Sequence, residues 1–361
     1  MALLPRVAVV LVAFGAAIYQ LYLKRFLFTT MGIGRLVEPL RRSLNDRMAV
    51  LDTRGEGTIA SRLKWISMEN FLGTNGDEAI TMHGIDVRPV PNSNKLRVLL
   101  VNHRPSVDPV TGEFLDSQKI GGNSTIEVFE MALGGDTMRH VKTYADEVIQ
   151  VPNRAQWIDD NSFVFTNDHD RKVGMLRNLE SFTGGGSVGY CDPSGCKIIK
   201  DSGFYNPNGI GVGSDGLVYV PNTISGDLDI FTLNSSHQLE EVASVKTGYP
   251  LDNLHIDKNG DVYAAAFPQL YKLMASGKQP LKLNPPTAVL KFRKVHSTQG
   301  TGSEEKPGNK PTWVFEKVLE DDGSVLPGTT VAVHDELMDR IFLGGVVSPF
   351  IAICERKKIR E

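Results

Sequence analysis

The chain has 361 residues, 41% of them hydrophobic, and a formal net charge of -3. That is enough apolar material for a sizeable core, and too little positive charge for nucleic acid to be the default partner. The 35 glycines and 19 prolines imply many turns and a β-rich rather than a helical body.

Val7 to Leu23 is apolar or weakly polar, with Arg6 before it and Lys24-Arg25 after it. Its length lies between a secretory hydrophobic region and a minimal membrane span. Tyr19, Leu21, Tyr22 and Leu23 fill the end where cleavage would require small residues, so an uncleaved signal-anchor helix is expected over residues 1–28. Residues 29–46 read as a membrane-proximal linker and 47–361 as the globular domain. A removed signal peptide is the alternative, and the flanking charges do not give the orientation; the expectation is a membrane-anchored chain with its body luminal or extracellular. Asn123-Ser124-Thr125 and Asn234-Ser235-Ser236 fit that placement as glycosylation sequons. Cys191 and Cys196 bracket Asp192-Pro193-Ser194-Gly195, a turn that would bring paired strands within disulfide reach. The alternative is two unpaired thiols in a reducing compartment. Cys354 has no obvious partner.

Along the body a strand-turn-strand unit recurs. Met48 to Met68 offers the first strand material. His83 to Val87 then leads into Leu96 to Val101, and Gln156-Trp157-Ile158 turns at Asp159-Asp160-Asn161 into Phe163-Val164-Phe165. Asn208 to Val212 turns at Ser214-Asp215-Gly216 into Leu217 to Val220, and Asp252 to Ile256 turns at Lys258-Asn259-Gly260 into Val262 to Ala265. Thr330 to Val333 leads into Ile341 to Leu343. Five such units at intervals of roughly 40 to 80 residues are the signature of a β-propeller. With Met48 to Met68 supplying one further, incomplete first blade, six blades are expected. His296 to Lys310, rich in Gly, Ser and Lys, reads as a solvated insertion.

Polar residues stand at equivalent strand ends: His83, Asn208 and Asp252-Asn253 before a first strand, Asn167-Asp168 after a second. Inner strands of a propeller converge at one mouth, so these side chains would meet on the axis. Amide and carboxylate oxygens suit a hard cation such as calcium and not zinc. Taken singly, an asparagine at a strand end is more often a turn or cap residue. His83 and His103 end neighbouring strands, and paired imidazoles there would activate water near neutral pH; singly, such histidines are more often structural.

Several segments resemble the serum paraoxonase/arylesterase family: Met82-His83-Gly84-Ile85, Val101-Asn102-His103, Ser124 to Phe129, Thr166-Asn167-Asp168-His169, Asn206 to Ile210, Asp252-Asn253-Leu254 and Gly323 to Gly328. They keep the family's order from about Met48 to Cys354. The resemblance implies a six-bladed propeller that hydrolyses aryl esters and lactones. It implies a catalytic calcium on Asn167, Asn208, Asp252 and Asn253, a structural calcium on Asp168 and the Ile85 carbonyl, and His83 and His103 as the dyad. The family's first-blade cysteine and acidic pair have no match between Leu36 and Asn45, and the context of Glu69 does not replace them. Each ion thus lacks a carboxylate, Cys354 lacks its usual partner, and the second ion is the weaker expectation. Expected partners are a small ester or lactone and, through the N-terminal segment, a membrane. The gluconolactonase-like and strictosidine-synthase-like propellers fit the paired histidines less well. A non-catalytic, membrane-tethered binding propeller is the competing reading.

Overall fold

The computed structural model describes residues 46–73, 76–277, 279, 282–295, 311–348 and 350–355. The expected N-terminal helix and the 296–310 insertion lie outside these residues. Among the described residues no helix is long and apolar enough to cross a membrane.

The repeating unit owes its shape to one local device. Asp159 Oδ1 accepts the Asn161 and Ser162 amides, both at 2.8 Å. Asp257 Oδ1 accepts those of Asn259 at 2.9 Å and Asp261 at 3.0 Å, and Asp215 Oδ1 that of Leu217 at 3.2 Å. A carboxylate that binds main-chain amides two to four residues on closes the turn and starts the return strand. The strands so joined are short and apolar; all five residues of Phe163–Asn167 are buried, as a strand packed on both faces requires.

Among the described residues, twenty-one strands form five sheets, all antiparallel within each repeating unit. Sheet 1 contains β3 (Met82–Pro89), β4 (Lys95–Pro105), β5 (Gly122–Ala132) and β6 (Thr137–Tyr144). Sheet 2 contains β7 (Pro152–Trp157), β8 (Phe163–Asn167), β9 (Ser187–Asp192) and β10 (Gly195–Lys200). Sheet 3 runs β11 (Gly211–Val212), β12 (Leu217–Pro221), β13 (Asp227–Leu233), β14 (Leu239–Lys246). Sheet 4 runs β15 (Leu251–Ile256), β16 (Val262–Ala266), β17 (Thr287–Val295), β18 (Thr312–Asp321). Sheet 5 has three strands: β19 (Val331–Asp335), β20 (Arg340–Gly344) and β21 (Ala352–Glu355). The fold is an all-β propeller. Its short helices Ser117–Ile120, Met175–Thr183 and Leu270–Ser276 follow the second strands of sheets 1, 2 and 4, and so crowd one end of the ring.

The five recurring sequence units are the first two strands of these five sheets. Among the described residues the expected sixth blade is not formed. Met48 to Met68 instead gives a hairpin, β1 (Met48–Leu51) and β2 (Leu63–Glu69), with the one-turn helix Ile59–Arg62 between its strands. Two short strands cannot cover a four-stranded face alone, and β2 docks parallel to the outer strand β6, Ser67 opposite Thr137. Ile66, with Met48 and Met68 beside it, packs on Val98, Leu100, Phe129 and Met138 of sheet 1.

One apolar cluster fills each junction between successive sheets. Leu99, Val101 and Ile126 meet Trp157, Phe163 and Phe165 between sheets 1 and 2. Val164 and Val188 meet Val218 and Phe231 between sheets 2 and 3. Leu228 and Ile230 meet Leu254 and Leu290 between sheets 3 and 4, and Tyr263 and Val289 meet Ala332 and Leu343 between sheets 4 and 5. The inner strands pack in the order β3, β7, β11, β15, β19, with no comparable contact between β19 and β3. Across that gap Arg340 Nη2 donates to the Thr53 carbonyl at 3.4 Å. Cys191 and Cys196 face each other on β9 and β10 and form a disulfide. Cys354 on β21 is a free thiol, opposite Ile341.

Candidate active site at the channel mouth

Both histidines stand where β3 and β4 approach the helix-bearing mouth. β3 carries a bulge between Met82 and Ile85, which re-aims the side chain between them. The His103 amide donates to the Thr81 carbonyl at 2.8 Å, and the two imidazoles meet edge-on with ring centroids 5.0 Å apart. His103 Nδ1 shares a hydrogen bond with Ser124 Oγ at 3.0 Å, and His83 Nε2 lies 3.3 Å from Asn153 Nδ2. Gly84 allows β3 to come this close to β7, since a Cβ there would lie 2.4 Å from the Asn153 carbonyl oxygen. Water reaches His83, yet protein atoms surround it as they do any channel-lining group. Lost hydration holds its pKa below the ordinary imidazole value, against the pull of Asp168. That shift favours the neutral imidazole, the form that can act as a base.

Three of the expected oxygen donors converge on the far side of the mouth. Asn208 donates through Nδ2 to Thr223 Oγ1 at 3.3 Å, while its Oδ1 is buried without a hydrogen-bond partner. Asn253 Nδ2 donates to Asp252 Oδ1 at 3.0 Å and to the Thr330 carbonyl at 3.1 Å. Burial pushes the Asp252 carboxyl up to about 7, outweighing the Asn253 amide, Arg154 and Asn208, which favour its charged form.

Of the other expected donors, Asn167 and Asp168 have side-chain partners of their own. Asn167 is 1% exposed; its Oδ1 accepts the Gln150 and Val151 amides at 3.0 Å, and its Nδ2 donates to the Val148 carbonyl and Ser187 Oγ. A carboxamide so saturated braces the loop before β7. Asp168 Oδ1 pairs with His169 Nδ1 at 2.7 Å. Burial works to raise Asp168, but His169, with Arg177 and His103 beyond it, leaves the carboxyl below its ordinary range. Ile85 lies just past the bulge, opposite Leu100, its side chain 38% exposed.

Sequence reasoning missed Arg154, Asn153 and Asn206. Arg154 sits between the fields of Asp86 and Asp252; burial lowers its pKa while the two carboxylates oppose that shift, and its Nε is buried without a partner. Asn206 Nδ2 donates to the Asp168 carbonyl at 3.0 Å and lies 3.1 Å from His169 Nε2. One signal was present for Asn153: Pro152-Asn153 repeats the Pro207-Asn208 pair just before or within the inner strand of the next sheet. No sequence signal marked Arg154.

Fold and site together define a β-propeller whose axial mouth holds paired imidazoles beside clustered carboxamides and carboxylates. The arylesterase family model matches residues 118–353, and the chain belongs to that family. It is 26% identical over 237 residues to serum paraoxonase/arylesterase 2 of Rattus norvegicus, covering 64% of this chain and 61% of that protein. With the Homo sapiens protein of the same name it shares 26% identity over 259 residues, 70% of this chain and 63% of that protein. With serum paraoxonase/lactonase 3 of Oryctolagus cuniculus it shares 29% over 294 residues, 77% of each. The chain spans 56% to 63% of the length of the first four curated relatives it matches. Among solved structures, the periplasmic gluconolactonase PpgL of Pseudomonas aeruginosa aligns with 89% of this chain and 80% of its own, at 11% identity and a TM-score of 0.47.

Proposed function

We propose that this chain hydrolyses carboxylic esters and lactones at the mouth of the propeller, with His83 and His103 activating water. The observation that carries the reading is the edge-on contact of the two imidazoles, 5.0 Å between centroids, in a member of the arylesterase family. His83, held neutral by lost hydration, takes the proton of the attacking water. His103, tied to Ser124, supports it from the side. Asn153 can offer His83 Nε2 either end of its amide. With Oδ1 turned to a protonated Nε2, both the buried Oδ1, otherwise without a partner, and the ring are satisfied, and Nδ1 is left as the basic nitrogen.

The chemistry of the donor set fits one hard cation better than two. No group of three or more His, Cys, Asp and Glu side chains that could hold a metal occurs among the described residues, so amide oxygens would have to complete the set around a carboxylate. Asn208 Oδ1, buried and unpartnered, would join the Asp252 carboxylate and Asn253 around a calcium ion, while Asn167 is saturated and Asp168 is paired. When bound, calcium would polarise the substrate carbonyl and stabilise the developing oxyanion. With one carboxylate in the set, weak binding is expected. We place the body in the secretory pathway, tethered through the apolar N-terminal segment, and the disulfide supports that placement.

Hydrolysis of a panel of aryl esters and lactones, with calcium and then with a chelator, tests the reading. Activity lost on chelation and lowered at least a hundredfold by His83→Gln, the scale of a missing general base, is the expected result. A folded protein that hydrolyses none of the panel would overturn it.

A further inference from the structure

We propose that Glu127, which touches neither mouth nor solvent, is a positioning residue for the His83–His103 pair. The inference rests on the hydrolase reading for its effect on rate, but not for its structural content. Glu127 on β5 is 0% exposed. Its Oε1 accepts Thr125 Oγ1 at 2.5 Å and Asn102 Nδ2 at 3.5 Å; its Oε2 accepts Thr143 Oγ1 at 2.5 Å and lies 3.0 Å from His140 Nε2. A carboxylate placed in an apolar sheet is tolerated only when donors replace its water, and here four do. The His140 ring is wedged against Phe71 and Phe129, with centroids 5.2 and 5.1 Å away, which closes the site to solvent.

The direction in which this network extends gives it a role beyond packing. Asn102, also 0% exposed, accepts the Thr81 amide through Oδ1 at 3.0 Å. The Thr81 carbonyl in turn accepts the His103 amide at 2.8 Å. Both peptide groups of Thr81 are therefore held, directly before the bulge that carries His83. Side chains alternate between the faces of a strand, so Asn102 points towards Glu127 while His103 meets Ser124. Fixing Asn102 on one face fixes the backbone that aims His103 on the other. Each imidazole is thus linked to Glu127 through the Asn102 amide.

The test uses the full chain labelled with ¹³C in its histidines, comparing the unsubstituted protein with Glu127→Gln. The isosteric amide keeps the volume but replaces one acceptor oxygen with a donor, which turns the hydrogen bonds round. The expected result is displaced imidazole signals for His83 and His103, a shifted pH–rate profile, and a kcat lower by roughly ten- to a hundredfold with KM changed less than about twofold. Should Glu127→Gln not fold, Asn102→Ala, which leaves the other three donors to Glu127 in place, carries the same test. Unmoved His83 and His103 signals in a folded variant, with only the melting temperature lowered, would overturn the proposal. If the unsubstituted protein hydrolyses no ester, the imidazole signals still decide whether Glu127 positions the pair, so the two failures are told apart.

Discussion

Sheets 2 to 4 and the flank between sheets 5 and 1 are built from the same kind of strand, yet they end differently. Each middle sheet has a neighbour on both faces, and every residue of β8, β12 and β16 is buried. On β3, Gly84 against sheet 2 is buried and Asp86 and Arg88 are partly covered, whereas Ile85 and Val87 on the other face are 38% and 47% exposed. The hairpin β1–β2 shields only the peripheral part of that face, through Ile66. Contacts between successive sheets join segments close in sequence, while closure of a ring must join its two ends across nearly the whole domain, at a somewhat higher loop-closure cost. Among the described residues, an apolar cluster joins each pair of successive sheets, and no such cluster joins sheets 5 and 1.

Four measurements break or sharpen that comparison. Leu99→Ala, on the covered face of β4, is expected to cost about 2–5 kcal/mol in denaturant unfolding; a cost below about 1 kcal/mol would mean the junction of sheets 1 and 2 is not tightly packed. Arg340→Ala removes the link to Thr53 and the 3.2 Å pair with Asp335, and should cost about 1 kcal/mol. A loss of several kcal/mol there would show closure to be a principal source of stability.

Asp229 in sheet 3 is buried and accepts Asn222 Nδ2 at 2.8 Å. Burial raises its pKa, against Ser244 and Asn222, so the folded state holds this proton more tightly than the unfolded chain. Its contribution therefore falls as pH rises from the ordinary carboxylate range through the raised folded value. Asp229→Asn should therefore stabilise slightly at neutral pH, an advantage that disappears in the ordinary carboxylate range; melting curves at the two pH values check the sign. The smallest effect belongs to Val87→Ala on the uncovered face, within about 0.5 kcal/mol. A loss equal to that of Leu99→Ala would show that something covers this face in solution.

Much of this was readable from local pattern. The Asp-bearing turns after β7, β11 and β15 and the apolar strands around them depend on residues two to four apart, and that is why these three units were found where the sheets now stand. Asn208, Asp252 and Asn253 were readable for the same reason, being polar residues at the openings of recurring strands. The count of blades failed because Met48 to Met68 has the right composition for strands, while its partner, β6, lies about 70 residues away.

By itself, then, the sequence determined the all-β class, the repeat and the position of the turns, because each follows from side-chain period and short-range hydrogen bonding. Only the tertiary structure decided that Asn167 braces a loop, that Arg154 lies between Asp86 and Asp252, that Glu127 is linked to both histidines, and that five sheets rather than six make the ring. Those outcomes depend on which distant segments satisfy a buried polar atom or cover an apolar face, and no local periodicity records that choice.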